Sequence, residues 1–196
     1  MSYFTHISFH QIQEGDLIDF FELRHHEQAG SLLKLMHRNF QSAKSSNPRY
    51  RLILQDLICL LQQIDVQLSG LVKLESDSLF PFVRKLAEVQ KHREPIRFLR
   101  VSLIGSSIEK IAEEHNHIIA LLHSIKQLTN QFMPPADASE IMKLCYAELK
   151  EFDDTVMSQL DREQNILFPK ILKLEDEVMH KSSIASTGTG GWGMQE

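Results

Sequence analysis

Cysteine is scarce: the 196-residue chain carries two, Cys59 and Cys145, and neither has a partner at CxxC or CxxH spacing. No structural disulfide is expected, and two small buried thiols in a reducing compartment fit this usage. Long apolar runs are missing as well. No stretch approaches the ~18 consecutive apolar residues of a membrane span, and no basic start followed by an apolar segment opens the chain, so a soluble cytoplasmic protein away from any membrane is expected. The eight glycines form neither a P-loop nor GxGxxG, and their one cluster, at 188–193, follows no strand. No nucleophile elbow surrounds any serine. Positive charge is not in excess either, with 21 Lys and Arg against 26 Asp and Glu for a net −5. Only residues 91–100 are mildly basic, which gives no reason to expect a nucleic-acid partner. Strand-like alternation is absent too, which leaves helix.

What the chain has is histidine, ten in all, and a repeated phrase. His26 is followed by Glu75-Ser-Asp-Ser-Leu79-Phe80-Pro81, and His115 by Glu163-Gln-Asn-Ile-Leu167-Phe168-Pro169. The glutamates and the prolines are each 88 residues apart and the histidines 89. Text around the histidines also agrees, with Leu32-Leu33 matching Leu121-Leu122. A duplicated helical hairpin is the simplest reading, and its length suits one domain built from two halves.

Helical periodicity supports this. Leu54, Leu57, Leu61, Ile64, Leu68, Leu71 and Glu75 step by threes and fours along one face of a second helix. Asn47 is expected to cap its start, with Pro48 in the first position, where a missing N–H costs nothing. A first helix is expected over about residues 16–40, with Leu23, His26, Ala29, Gly30, Leu33, Met36 and Phe40 inside and a polar turn at 41–47. A third, over about 106–131, carries Ile108, Ile111, His115, Ile118, Leu122 and Ile125. A fourth begins near Asp137, where Asp137 and Glu140 resemble a capping box, and carries Ile141, Cys145, Leu149, Phe152, Val156, Leu160 and Glu163. With short turns inside each pair and a connector at 91–105, these describe an all-α antiparallel four-helix bundle over residues 16–181. Residues 1–15 read as an N-terminal arm, and the Ser/Thr/Gly-rich stretch 182–196 as a disordered tail.

Glu75 and Glu163 lie on apolar stripes, where a lone carboxylate costs several kcal/mol unless it is protonated, paired or bound to a metal. One His and one Glu from each half supply N and O donors suited to iron, manganese or zinc, and bridging carboxylates can hold two metals about 3.5–4 Å apart. The candidate metal ligands are therefore His26, Glu75, His115 and Glu163. The bland alternative leaves each Glu near a bundle end, reaching water or an arginine.

A His early in each half and E-x-x-x-L-F-P late in each half resemble the hemerythrin-like (HHE cation-binding) domains, most closely the di-iron proteins that repair iron–sulfur centres after nitrosative or oxidative stress. The resemblance covers roughly residues 16–174, and the second half matches best, at Glu114-His115, Leu121-Leu122, the 130–135 turn and Glu163 to Pro169. It implies a di-iron site in which His26 and His115 each anchor one iron while Glu75 and Glu163 bridge. In that family a second histidine precedes each bridging glutamate by one turn, H-x-x-x-E. Here Leu71 and Gln159 stand in those places, and no pair of adjacent cysteines precedes His26.

Glu22, His6 and His10 are weaker substitute ligands, more simply read as solvent-facing. His25, His37, His117 and His123 fall off the His26 and His115 stripes or too far along them and read as polar surface. Met36, Met142 and Met157 read as core filler. Two functions follow as expectations. One is a non-haem metal protein, with iron as cofactor and a small diatomic ligand as partner, acting on oxygen or nitric oxide or in iron-centre repair. The other is a degenerate, metal-free bundle serving as an interaction or regulatory module.

Overall fold

The computed structural model describes residues 16, 18–19, 28–92 and 103–187 of the chain. No strand occurs among the described residues, and the architecture is an all-α four-helix bundle. His26, His25, Glu22, His6 and His10, the arm at 1–15 and residues 93–102 and 188–196 lie outside the described residues.

Helix α1 (Gly30–Ser46) buries Leu33, Met36, Phe40 and Ala43 on one face. The expected polar turn at 41–47 is instead helix, because Ala43 keeps the inner period and no breaker occurs before Pro48. Asn47 then leaves the helical region at φ −128° and ψ 74°, as residues before proline do. Its Nδ2 donates to the Ala43 carbonyl at 2.7 Å, so it closes α1 and does not cap the next helix as expected. Pro48 opens a single 3₁₀ turn, Pro48–Tyr50, which leads into α2 (Arg51–Leu74).

Leu54, Leu57, Leu61, Ile64, Leu68 and Leu71 of α2 are all buried. The helical stretch Pro48–His92 is the one among the described residues that is long and apolar enough to cross a membrane, by an 18-residue window of mean hydropathy 1.3. Its inner face packs on α1 and on α4 (Leu103–Leu128), while Asp56, Gln62, Gln63 and Asp65 face outward. That amphipathic pattern is that of a bundle helix.

Neither repeated glutamate ends its helix. The backbone widens into a π-turn at Glu75–Leu79 and continues as α3 (Phe80–His92). In the second half α5 (Glu140–Arg162) widens at Glu163–Leu167 and continues as α6 (Phe168–Thr187). In each turn the phenylalanine N–H, of Phe80 or Phe168, donates to the glutamate carbonyl five residues back. The prolines explain it. Pro81 and Pro169 have no N–H, and in a regular helix their rings would press on the carbonyls of Asp77 and Asn165, four residues earlier. One extra residue in the turn relieves that contact while the helix runs on.

Helix α4 starts earlier and stops earlier than the expected 106–131. After Leu128 the Thr129 hydroxyl donates to the Ile125 carbonyl at 2.7 Å and accepts from the Phe132 N–H at 3.1 Å. Asn130, Gln131 and Phe132 follow with φ of 49°, 60° and 62°, a left-handed run that ends the helix. Ser139, not Asp137, caps α5, accepting from the Met142 N–H. Asp137 instead pairs with Arg49 at 2.6 Å and accepts from the Tyr50 hydroxyl, tying the start of α5 to the start of α2.

α1 also packs on α5, and α3 on α6. Lys126 on α4 reaches the buried Asp153 on α5 at 2.9 Å. Met36 and Met142 are core residues, but Met157 is 36% exposed, a correction to the expected filler role. Both thiols are free, and burial pushes the Cys145 thiol up to about 12, so it stays protonated and unreactive. Helix α6 runs to Thr187, into the stretch expected to be disordered.

Candidate metal centre

Three chemically capable side chains meet in the core from three different helices. His115 projects from the inner stripe of α4, and Glu75 and Glu163 each open a π-turn. Donor atoms of all three lie within 4.8 Å of one another. Glu75 and His115 are each 1% exposed and Glu163 is fully buried. The first π-turn packs directly against α4, which is how Glu75 comes to the imidazole from the other half of the repeat. π-turns inside α-helices concentrate at functional sites, and both glutamates stand at the first position of one.

The electrostatics are those of donors gathered in a dry core. Burial drives the His115 pKa down to about 4, because the imidazolium would lose its water with nothing to replace it. The ring is therefore neutral at ordinary pH, the state in which it can bind a metal. Burial also holds the Glu163 carboxyl well above the usual range, and the neighbouring Glu75 side chain offsets this only in part. His115 Nε2 lies 2.9 Å from Glu163 Oε2 without the alignment of a hydrogen bond, and neither ring nitrogen of His115 has a hydrogen-bond partner among the described residues. Donor atoms of His115 and Glu163 that meet without an aligned hydrogen bond between them suit a shared cation once the carboxyl ionises. The residues present thus fit a metal of the iron, manganese or zinc type, with N and O donors.

Sequence reasoning missed one contributor. Phe168 stacks on the His115 ring, with centroids 5.8 Å apart and planes 18° from parallel, and so fixes the plane in which the imidazole can present its nitrogen. The repeated Leu-Phe-Pro was a visible signal, but its phenylalanine read as motif rather than as a wall of the site. Gln159 and Leu71 sit one turn before the glutamates, and their carbonyls accept from the Glu163 and Glu75 amides. Both are buried, and Gln159 Nε2 has no hydrogen-bond partner among the described residues. His117 and His123 are exposed surface groups and His37 is half-buried.

A helical bundle with His and Glu donors converging in its core defines a class of cation-binding protein. The chain belongs to the hemerythrin HHE cation binding domain family, whose profile matches residues 16–171. Among its relatives, a probable iron-sulfur cluster repair protein of Haemophilus influenzae is 30% identical over 158 residues, covering 80% of this chain and 62% of the relative. The iron-sulfur cluster repair protein YtfE of Enterobacter sp. is 24% identical, covering 81% and 66%. YtfE of Escherichia coli O81 is 27% identical, covering 76% and 60%. The chain thus spans about three-fifths to two-thirds of the length of these relatives.

Proposed function

We propose that the bundle holds a non-haem di-iron centre and that the protein acts on oxygen or nitric oxide, or in iron–sulfur centre repair under stress, in the cytoplasm. The observation that carries this reading is the convergence of Glu75, His115 and Glu163 in a dry core. The names of the relatives, iron-sulfur cluster repair proteins, supply the reaction class. Glu75 and Glu163 would bridge, His115 would hold one iron, and the repeat assigns the other to His26. Bound iron would supply Lewis-acid and one-electron chemistry toward a small ligand. The chain's own part is to keep His115 neutral, hold its ring against Phe168, and exclude water around the carboxylates.

A second reading, a metal-free module for protein contacts or regulation, draws on the fully buried Leu71 in a place where the family has a ligand and on burial that holds the Glu163 carboxyl well above its ordinary range. Elemental analysis separates the two readings. Protein purified from iron-grown cells should carry iron, and the Glu163→Ala variant should carry none. Wild type free of iron, and unable to take it up, would favour the module.

A further inference from the structure

Helix α2 has a second apolar stripe that the bundle does not use. The most apolar window of the Pro48–His92 stretch is only 33% buried, and Leu52 and Val66 stand outward, 81% and 69% exposed. Cys59 is half-buried midway between them. The three are seven residues apart, and seven residues bring an α-helix round to within about 20° of the same bearing, so they form one outward line about 21 Å long. Glutamine fills the turns between, at Gln55, Gln62 and Gln63. No lysine or arginine occurs between Arg51 and Lys73, and the only acids there are Asp56 and Asp65. Alongside, Cys59, Gln63 and Val66 border a groove of about 630 Å³ with Ala120, Leu121 and Ser124 of α4, and no Asp, Glu, Lys or Arg lines it among the described residues.

We infer that this line is the face on which two copies of the chain pair, as an antiparallel α2–α2 contact about a two-fold axis at Cys59. The pattern itself argues for a second copy. It is symmetric about Cys59, so one rotation sets Leu52 of each copy against Val66 of the other, and an isologous contact needs a surface that complements itself. The same rotation sets Gln55 against Gln63, and Asp56 against Gln62, of the second copy. An amide both donates and accepts, so glutamine meets glutamine or aspartate without losing a hydrogen bond. Two chains that each carry a net charge of −5 repel least across a face whose central line and groove are uncharged. A lipid surface fits less well, since a membrane-surface helix carries lysine or arginine along its polar flank and none stands here. A contact of a few helical turns lies at the small end of protein interfaces, so the pairing is reversible and micromolar. It is independent of the metal centre.

Diamide oxidation of the reduced full chain, read on non-reducing gels, tests it. Cys145 is buried and stays protonated, so Cys59 is the thiol that reports. Wild type should yield a covalent dimer, and Cys59→Ser none. Sedimentation velocity over about 1–200 µM should show reversible dimers in wild type. Leu52→Glu and Val66→Lys, both at exposed positions, should keep the helical content and the thermal melt and each weaken association about 10-fold or more. The double variant sets opposite charges across the axis and should recover most of that loss. A chain that stays monomeric throughout would overturn the pairing, and one that instead floats with phosphatidylcholine vesicles would give the face to lipid. Dimers that neither single variant weakens would place the contact elsewhere and overturn it too. Dimers weakened by both but lacking the Cys59 crosslink, or gaining nothing from the double variant, would overturn the two-fold at Cys59.

Discussion

Replacing Glu163 by glutamine should stabilise the metal-free protein at neutral pH and remove its response to iron. Burial holds the Glu163 carboxyl well above its ordinary 4.5 in the folded chain. Between the unfolded value and that raised one, folding takes up a proton, so stability falls as pH rises, by up to about 1.4 kcal/mol per pH unit. His115 acts in the opposite sense and in a lower window. Its folded value is about 4 against an ordinary 6.5, so its contribution is present above 6.5 and is lost as pH falls toward 4. Above pH 6.5 the histidine is silent, and of these two groups Glu163 alone sets the slope. A glutamine side chain in its place would keep the volume and the contact with Glu75 without titrating. The gap in unfolding free energy between variant and wild type should therefore widen by up to about 1.4 kcal/mol from pH 6.5 to 7.5, and groups common to both proteins cancel. Urea unfolding of chelator-treated protein at several pH values measures it. Iron should reverse the order, stabilising wild type by about 2.7 kcal/mol at 100 times the dissociation constant and the variant hardly at all. A gap that stays flat with pH, or equal stabilisation of both proteins by iron, would refute the reasoning.

Iron binding at pH 7 should release about one proton, because Glu163 must ionise to ligate; calorimetry in two buffers of different ionisation enthalpy counts it, and affinity that does not change between pH 8 and 6 would contradict it. The double variant Leu71→His, Gln159→His restores two H-x-x-x-E pairs and should bind iron about 10-fold or more tightly, while the metal-free form loses about 1–3 kcal/mol from the polar ring introduced at Leu71. A double variant that binds iron no better than wild type would show that the two positions do not face the centre. Phe168→Leu should cost about 1–2 kcal/mol of stability and weaken iron binding in protein that remains folded, since the imidazole loses the ring it stacks on; unchanged iron affinity would reduce Phe168 to a packing role.

The bundle was legible because its signals are periodic and repeated. The apolar stripe of α2 and the duplicated E-x-x-x-L-F-P are sums over many residues, and they placed Glu75, His115 and Glu163 correctly on inner faces. What stayed hidden depends on single contacts. Asp137 looks like a cap in sequence, but Arg49 and Tyr50, close only in space, claim its carboxylate and leave the capping to Ser139. Asn47 had two helices to serve and closed the earlier one. The π-turns were encoded by Pro81 and Pro169, yet a proline inside a pattern announces only that a regular turn will fail, not that the helix will widen and continue. The pH control of the site was likewise hidden. Burial, which holds His115 low and Glu163 high, depends on how the helices pack and cannot be read from the chain.

Anaerobic titration of ferrous iron into the metal-free wild-type chain, followed by elemental analysis after gel filtration, tests the central claim most directly. Two irons retained per chain, with none retained by Glu163→Ala, is the expected result. A wild-type chain that emerges without iron would contradict the account.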